Sequence, residues 1–286
     1  MICQAQYGQY SPVVVPDGSG GAYIAWRDER SLVGAYLQRV NGSGVEQWTP
    51  DGNLLNPALS MADRPALATD GQGGVIAAWS DDRDGFLNAR VRVQRFSPAG
   101  TALWSTGGVA VCPATAAQSY ASMDADGVGG CVVAWRDGRT GASVDVYAQR
   151  VGADGLRRWT DAAVAVSVAA NDQDFPVLRS DGKGGACIAW FDARSGNYDI
   201  FAQRLSAIGQ PLWTSNGAAL CVMNGAQRDP VLVADGSGGA VVCWLDSRGR
   251  FFPKVFAQRV EPFGYLGILS RSWPGCATCP TTRAAR

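Results

Sequence analysis

One phrase of the sequence recurs five times, and this repetition constrains the fold more than any other feature. Each copy begins with an Asp-Gly pair, and successive pairs are 53, 56, 55 and 54 residues apart, the aspartates being Asp17, Asp70, Asp126, Asp181 and Asp235. A tryptophan follows nine residues later in every copy, at Trp26, Trp79, Trp135, Trp190 and Trp244. Regular spacing of this length is typical of architectures in which each repeat packs on its neighbours.

The last copy illustrates the local pattern within one repeat. The segments "PVLVAD" (230–235), "AVVCWLD" (240–246) and "KVFAQRV" (254–260) are short, apolar and rich in β-branched residues, which favours strands. The intervening "DGSGG" supplies residues that form tight hairpin turns. A further segment, "QPLWTSNGAALCV" (210–222), predicts the last strand of the preceding copy, with a bend at its glycine. Each repeat therefore reads as four antiparallel strands.

A four-stranded sheet of this size cannot bury both of its faces alone, and stacking the sheets around an axis solves that problem. We therefore predict an all-β, five-bladed β-propeller with four antiparallel strands per blade. Its repeats start near residues 12, 65, 121, 176 and 230. The propeller would span 1–269, with the N-terminal segment closing the last blade, and 270–286 would form an irregular tail. An open solenoid of five repeats is the alternative architecture.

Composition excludes several function classes. The 25 basic and 25 acidic side chains balance, so no electrostatic attraction to nucleic acid is expected. No apolar run approaches the roughly 20 residues of a membrane span, and the opening "MICQAQYGQY" does not resemble a signal peptide. Histidine is absent, which excludes Ser-His-Asp catalysis and imidazole metal ligands. No cofactor and no metal site is predicted.

The sharpest repeated motif is Trp-x-Asp-x-Arg. Its three named residues are two positions apart, so on an extended strand their side chains share one face. One interpretation is structural: a buried Asp–Arg pair beside an indole that joins neighbouring blades. The other is five equivalent pockets for sugar, in which the indole stacks on the ring. The candidate binding residues are Asp28, Arg30, Asp81, Arg83, Asp137, Arg139, Asp192, Arg194, Asp246 and Arg248.

Two further features offer candidate ligand contacts. The segment after each motif varies in length, which is typical of a surface loop that carries specificity, and it contains Tyr198 and Phe251. The aspartate of each Asp-Gly pair invites a calcium interpretation, but most copies bring one carboxylate where calcium prefers six or more oxygens. Turn formation explains that aspartate better.

The repeat unit, written DGxGGxxxAWxDxR…QRV…GxxLW, resembles repeats of large secreted or surface proteins of environmental bacteria. The resemblance covers residues 12 to about 264. It implies an extracellular or cell-surface β-propeller used in adhesion or binding, with glycans or another surface protein as the partner. It supplies no catalytic residues for transfer.

These features predict a non-enzymatic extracellular binding module for carbohydrate or a protein surface. The alternative is a propeller-type glycoside hydrolase or lyase that acts on polysaccharide. Glycosidases need paired acidic residues, and the chain has only three glutamates, Glu29, Glu46 and Glu261. Glu29 lies inside the first Trp-x-Asp-x-Arg motif, where no other copy has glutamate, so it is the candidate catalytic acid.

Overall fold

Five four-stranded antiparallel sheets, which we call blades 1 to 5, make up the protein in a computed structural model that describes residues 1–30, 33–56, 62–248 and 251–267. The strands of blades 1 to 3 are β1 Gln9–Pro16, β2 Ala22–Asp28, β3 Gly34–Val40, β4 Asn53–Leu54, β5 Ala62–Thr69, β6 Val75–Asp81, β7 Arg90–Phe96, β8 Val109–Ala110, β9 Gln118–Ala125, β10 Cys131–Asp137, β11 Asp145–Val151 and β12 Val164–Ser167. Those of blades 4 and 5 are β13 Gln173–Ser180, β14 Ala186–Asp192, β15 Asp199–Leu205, β16 Ala218–Cys221, β17 Gln227–Ala234, β18 Ala240–Asp246, β19 Lys254–Val260 and β20 Leu266–Gly267.

Within each blade the strands pair in sequence order. The first strands of blades 1 to 4 line one central cavity, as the innermost strands of a propeller do. The predicted five-bladed β-propeller is therefore confirmed. The predicted tail, 270–286, lies outside the described residues. Across the described ranges, the single short 3₁₀ turn at Phe86–Asn88 is far too short to cross a membrane, and no helix has the length and apolar character of a span.

The hairpin between the first two strands of each blade is built by the Asp-Gly aspartate. One carboxylate oxygen of Asp235 accepts hydrogen bonds from the backbone N–H groups of Ser237 (2.8 Å) and Gly239 (2.9 Å). The other accepts from the Arg259 guanidinium at 2.9 Å. The carboxylate thus faces donors, which is the geometry of a turn and not of a calcium site.

The pKa of Asp235 reflects this turn. Burial opposes ionisation, but the hydrogen bonds from Ser237, Arg259 and Gly239 outweigh it and lower the pKa from 3.8 to about 2. A carboxyl with a lowered folded-state pKa stabilises the fold when ionised. That contribution is present above about pH 4 and is lost as the pH falls towards 2.

We therefore expect Asp235→Asn to flatten the acid limb of stability. The thermal unfolding temperature of the wild type should decrease as the pH is lowered from 4 to 2. That of the variant should decrease less over the same range, because its amide does not titrate. Thermal unfolding at several pH values measures this. Asp161→Asn, at an exposed carboxylate, is the control, and parallel curves for wild type and Asp235→Asn would contradict the expectation.

Each blade has two packing faces. The leading face is turned towards the preceding blade and the trailing face towards the next. The trailing face of blade 1 contributes Tyr23 and Ala25 to an apolar cluster with Ala77 and Trp79 from the leading face of blade 2. Equivalent clusters join blades 2 and 3, 3 and 4, and 4 and 5. In the described part of the chain no such cluster joins blade 5 to blade 1.

The second repeated tryptophan reinforces each of these interfaces. The Trp48 indole donates a hydrogen bond to the carbonyl of Pro98 in blade 2 at 3.0 Å. Trp104, Trp159 and Trp213 make the same bond to the next blade, to the carbonyls of Ala153, Ala207 and Pro262. This indole explains why the position recurs in the sequence: it connects one blade to the turn of the next.

The N-terminal segment lies beside blade 1. The Cys3 thiol accepts a hydrogen bond from the Arg30 guanidinium at 3.1 Å, as Cys112 of blade 2 does from Arg139 of blade 3 at 3.2 Å. Cys3 therefore occupies the place that the end of a preceding blade holds elsewhere. The expected closing of blade 5 by the N-terminal segment does not occur in the described residues, where β19 pairs with β18 and β20 of its own repeat.

Candidate functional site

The Trp-x-Asp-x-Arg motif forms a closed hydrogen-bond network in each blade. In blade 4, the fully buried Asp192 carboxylate accepts from the Trp190 indole at 2.9 Å and from the Arg194 backbone N–H at 3.0 Å. The Arg194 guanidinium adds two bonds, at 2.8 and 2.6 Å. Both carboxylate oxygens are thus engaged inside the protein.

The arginine of the motif also makes its contacts within the protein. Arg139 lies over the Tyr147 ring at 3.7 Å and donates to the Ala162 carbonyl at 2.6 Å as well as to Asp137. It also reaches Cys112 of the preceding blade, so it links two blades. The same arrangement recurs at Asp28 with Arg30, Asp81 with Arg83, Asp192 with Arg194, and Asp246 with Arg248. The geometry favours the structural interpretation; a ligand-binding role for these ten residues stays a prediction.

The other sequence candidates lie apart from one another. Glu29 forms an ion pair with Arg27 at 2.9 Å, and about a third of its side chain is exposed. Tyr198 is half-buried among aromatic residues, described below. Phe251 is almost completely exposed and contacts the ring of Phe252.

Buried cysteines offer no nucleophile. Cys131 and Cys187 are buried and form no disulfide. Burial raises the pKa of the Cys187 thiol to about 12 and raises that of Cys131 further. Because the thiolate is the reactive form, these side chains are inert packing groups near neutral pH.

A cavity of about 360 Å³ lies at the centre of the propeller. Its walls are the first strands of blades 1 to 4, and its lining is mostly apolar, including Val13, Leu67, Met123 and Val177. Two aromatic side chains, Tyr120 and Phe175, also line it. We use "upper end" for the end of the blades at which these first strands begin.

Near the upper end, every first strand carries a β-bulge. In blade 4 the pairing passes from Asp174 opposite Phe191 to Val177 opposite Ala189, so two residues face one. The first bulge residue has a left-handed backbone conformation in blades 1, 3, 4 and 5, with φ of 51°, 53°, 49° and 54° at Ser11, Tyr120, Phe175 and Asp229. Non-glycine residues with positive φ are strained, and bulges of this kind cluster at functional sites.

The residue at the first bulge position is of a different type in every blade, whereas the Trp-x-Asp-x-Arg motif is present in all five. Arg64 holds the corresponding register position in β5. The five residues at this register position, which together we call the bulge ring, are therefore Ser11, Arg64, Tyr120, Phe175 and Asp229. A geometrically equivalent position with five different chemistries breaks the symmetry of the propeller, and a single site needs such a break.

Asp174, a mostly buried carboxyl group, immediately precedes the bulge residue Phe175 in β13. It forms an ion pair with Arg136 of blade 3 at 3.2 Å, and 13% of its side chain is exposed. Arg136 in turn lies over the Tyr120 ring at 5.7 Å. Burial raises the pKa of Asp174, while the Phe175 backbone N–H and Arg136 act in the opposite direction without cancelling that rise.

Aromatic rings extend from this carboxyl towards blade 5. The Tyr120 and Phe175 rings lie 4.3 Å apart, and Phe175 stacks on Phe191 at 5.0 Å. Phe191 meets the Tyr198 ring edge-on at 4.8 Å. The Arg228 guanidinium of blade 5 lies over Tyr198 at 4.7 Å. The upper end thus combines a half-hidden acid, two guanidinium groups and a run of aromatic surface.

Sequence reasoning found Tyr198 but missed the other members of this site. The missing signal was positional: in four of the five repeats, the bulge residue immediately precedes a proline, at Pro12, Pro65, Pro176 and Pro230. A residue before proline is restricted in its backbone conformation. Comparing what differs at that position, as well as what repeats elsewhere, would have pointed to Tyr120 and Phe175.

No family model and no curated protein matches this sequence. Solved structures share its fold at low sequence identity. A protein of unknown function from Dyadobacter fermentans DSM 18053 has a TM-score of 0.57 and 12% identity, over 96% of this chain and 86% of that one. The resemblance to secreted bacterial repeat proteins therefore stays a prediction.

Two of the similar structures are described as glycan-degrading enzymes. A thermostable family-43 glycoside hydrolase has a TM-score of 0.50 and 13% identity, over 98% of both chains. The Hadza microbial sialidase Hz136 has a TM-score of 0.53 and 10% identity, over 90% of this chain and 57% of that one. At these identities the likeness establishes the propeller fold.

These comparisons correct the function expected from the sequence. A non-enzymatic binding module was the main prediction, and it was wrong as the preferred interpretation, because a family-43 glycoside hydrolase and a sialidase are among the similar propellers. The repeated motif belongs to the internal network, and the symmetry breaks at the bulge ring.

Proposed function

We propose that this protein is a propeller-type glycoside hydrolase that acts on a polysaccharide at the upper end of the central cavity. The observation that carries the proposal is the partly buried Asp174 carboxyl, held against Arg136 beside the aromatic residues of the bulge ring. Glycoside hydrolysis requires a carboxylic acid that protonates the leaving oxygen. An environment that raises the pKa of that acid favours the reaction, and burial acts on Asp174 in this direction.

In this proposal Asp174 donates its proton to the glycosidic oxygen as the bond to the leaving sugar breaks. As that bond breaks, a second carboxylate either deprotonates a water that attacks the anomeric carbon or attacks this carbon itself, and in the latter case water then hydrolyses the glycosyl-enzyme. Two acidic residues at the upper end are candidates for it: Asp229, exposed at the bulge of blade 5, and Glu29, the acid predicted from the sequence. Testing both distinguishes them.

The aromatic residues would hold the polymer. Tyr120 and Phe175 border the cavity, and Tyr198 lies further out under Arg228. The apolar face of a sugar ring packs on an aromatic ring, while its hydroxyl groups accept hydrogen bonds from guanidinium groups. Glycan is therefore the partner class that we propose. An extracellular site of action is part of the proposal, since polysaccharides are too large to enter a cell intact.

The direct test is an assay of reducing-sugar release from arabinan, xylan, galactan and a sialylated glycan. The wild-type protein should hydrolyse at least one of them, and Glu29→Gln and Asp229→Asn should be compared on the substrate found. The variant that abolishes turnover without weakening binding identifies the second carboxylate. Absence of sugar release from a broader set of glycans would contradict the proposal.

The pH profile gives a second prediction. Replacing Arg136 with glutamine removes a positive charge 3.2 Å from Asp174, which disfavours the carboxylate and raises the pKa of Asp174 further. A general acid must be protonated, so activity declines as the pH rises through its pKa. We expect the alkaline limb of the kcat/KM profile of Arg136→Gln to move to higher pH. An unmoved limb would show that Asp174 is not the acid.

A further inference from the structure

The trailing face of blade 5 carries apolar side chains that are exposed in the described part of the chain. Val255 is 70% exposed, whereas the residues at the same position in blades 1 to 4, Ala35, Val91, Val146 and Ile200, are fully buried. Val231, Val233 and Leu245 on the same face are also exposed. Large apolar side chains grouped on one sheet face indicate a contact surface.

The leading face of blade 1 shows the complementary pattern. Val14 is 65% exposed, whereas Leu67, Met123, Leu178 and Leu232 hold the same position in blades 2 to 5 and are at most 8% exposed. The turn of blade 1 that contains Gly44 also shows an open position. A side chain added at Gly44 would meet nothing within 4 Å, whereas the equivalent glycine of each later blade packs against the second tryptophan of the blade before it.

The two faces are the missing halves of an interface that occurs four times within the chain. In those interfaces the residue between Trp and Asp of one blade lies near the start of the next blade's first strand: Arg136 pairs with Asp174, and Ser80 donates to the Gln118 carbonyl. In blades 5 and 1 the corresponding residues are Leu245 and Tyr10, both exposed and both apolar over most of their surface. The free faces thus match each other chemically.

We propose that blade 5 of one molecule packs on blade 1 of a second copy, head to tail. The two faces of a single molecule remain exposed here although blades 1 to 5 are packed in series, so a second copy supplies the partner without distorting those four interfaces. The contact is heterologous: each molecule uses a different face, and each keeps one free face for a further copy. This inference is independent of the proposed hydrolase activity.

Sedimentation velocity of the full chain, from micromolar to millimolar concentration, tests the proposal. The wild type should show concentration-dependent dimers and larger species. Val255→Glu and Val14→Glu each place a charge on one of the two faces and should each be monomeric, because a head-to-tail contact needs both faces. Ile208→Glu, at an exposed apolar side chain on neither face, should associate like the wild type.

Mixing the two variants gives the sharpest outcome. Val14→Glu retains an intact blade 5 face and Val255→Glu retains an intact blade 1 face, so a one-to-one mixture should form dimers and stop there. Circular dichroism confirms that the variants are folded, as expected for substitutions at exposed positions. A wild type that stays monomeric throughout, as it would if the two faces closed within one molecule, would overturn the proposal, as would a mixture that remains monomeric.

Discussion

Asp192→Ala should lower the free energy of unfolding by about 3–5 kcal/mol, the usual cost of removing one partner from a buried ion pair. The Asp192 carboxylate is fully buried and takes up the Trp190 indole N–H and three donors of Arg194. The substitution leaves the buried Trp190 indole N–H without its acceptor and removes the countercharge of the Arg194 guanidinium, which keeps its bonds to the Ser167 hydroxyl and the Asn216 carbonyl. Urea denaturation followed by tryptophan fluorescence measures the change.

The matched control is Asp161→Ala. Asp161 also pairs with an arginine, Arg157 at 3.0 Å, but 83% of its side chain is exposed. Exposed pairs of this kind contribute about 0–1 kcal/mol. If Asp192→Ala cost no more than Asp161→Ala, the network would not hold the blade together. That outcome would favour the interpretation that the ten motif residues bind a ligand.

Asp174→Asn should reduce kcat/KM for the polysaccharide by roughly 10²–10⁴-fold, the range for loss of a general acid. Asparagine keeps the size of the side chain but carries no proton that it can donate. Binding of the substrate should change little, because the surrounding aromatic surface is retained. The assay that identifies the substrate measures the rate, and isothermal titration with a product oligosaccharide measures binding.

Asp154→Asn is the control for this variant, since Asp154 is an exposed carboxylate in a turn at the opposite end of the blades. A substrate with a good leaving group, such as an aryl glycoside, should lose less rate than the natural linkage, because it needs less protonation. Full activity of Asp174→Asn would remove Asp174 from the mechanism. Loss confined to Glu29→Gln would return the acid to the residue predicted from the sequence.

The prediction of strands and turns succeeded where the local chemistry is sufficient. The Asp-Gly aspartate accepts N–H groups two and four residues later, and the run that follows it is long enough for one strand. These contacts span a few residues, so the sequence of one repeat specifies them. The fully buried glutamine before the repeated arginine was not assigned a role. Gln38 joins its strand to the turn ten residues on, accepting from the Trp48 N–H at 3.0 Å.

The functional site was missed for the opposite reason. Asp174 and Arg136 lie 38 residues apart in different repeats, and neither belongs to a repeated motif. Repetition directs attention to what is shared, and here the shared residues fill the interior. The bulge that brings Tyr120 and Phe175 to the cavity is a feature of strand pairing, with no signature in the alternation of apolar residues.

The sequence by itself determined the unit of this protein: its length, its four strands, its turns and the fact that one sheet must pack on the next. That information is local, because hydrogen-bonding and apolar periodicity act over a few residues and repeat with the chain. Only the tertiary structure decided which polar groups are hydrogen-bonded in the interior and which remain accessible to a ligand. It also decided which faces stay open, since burial depends on what lies across an interface from each side chain.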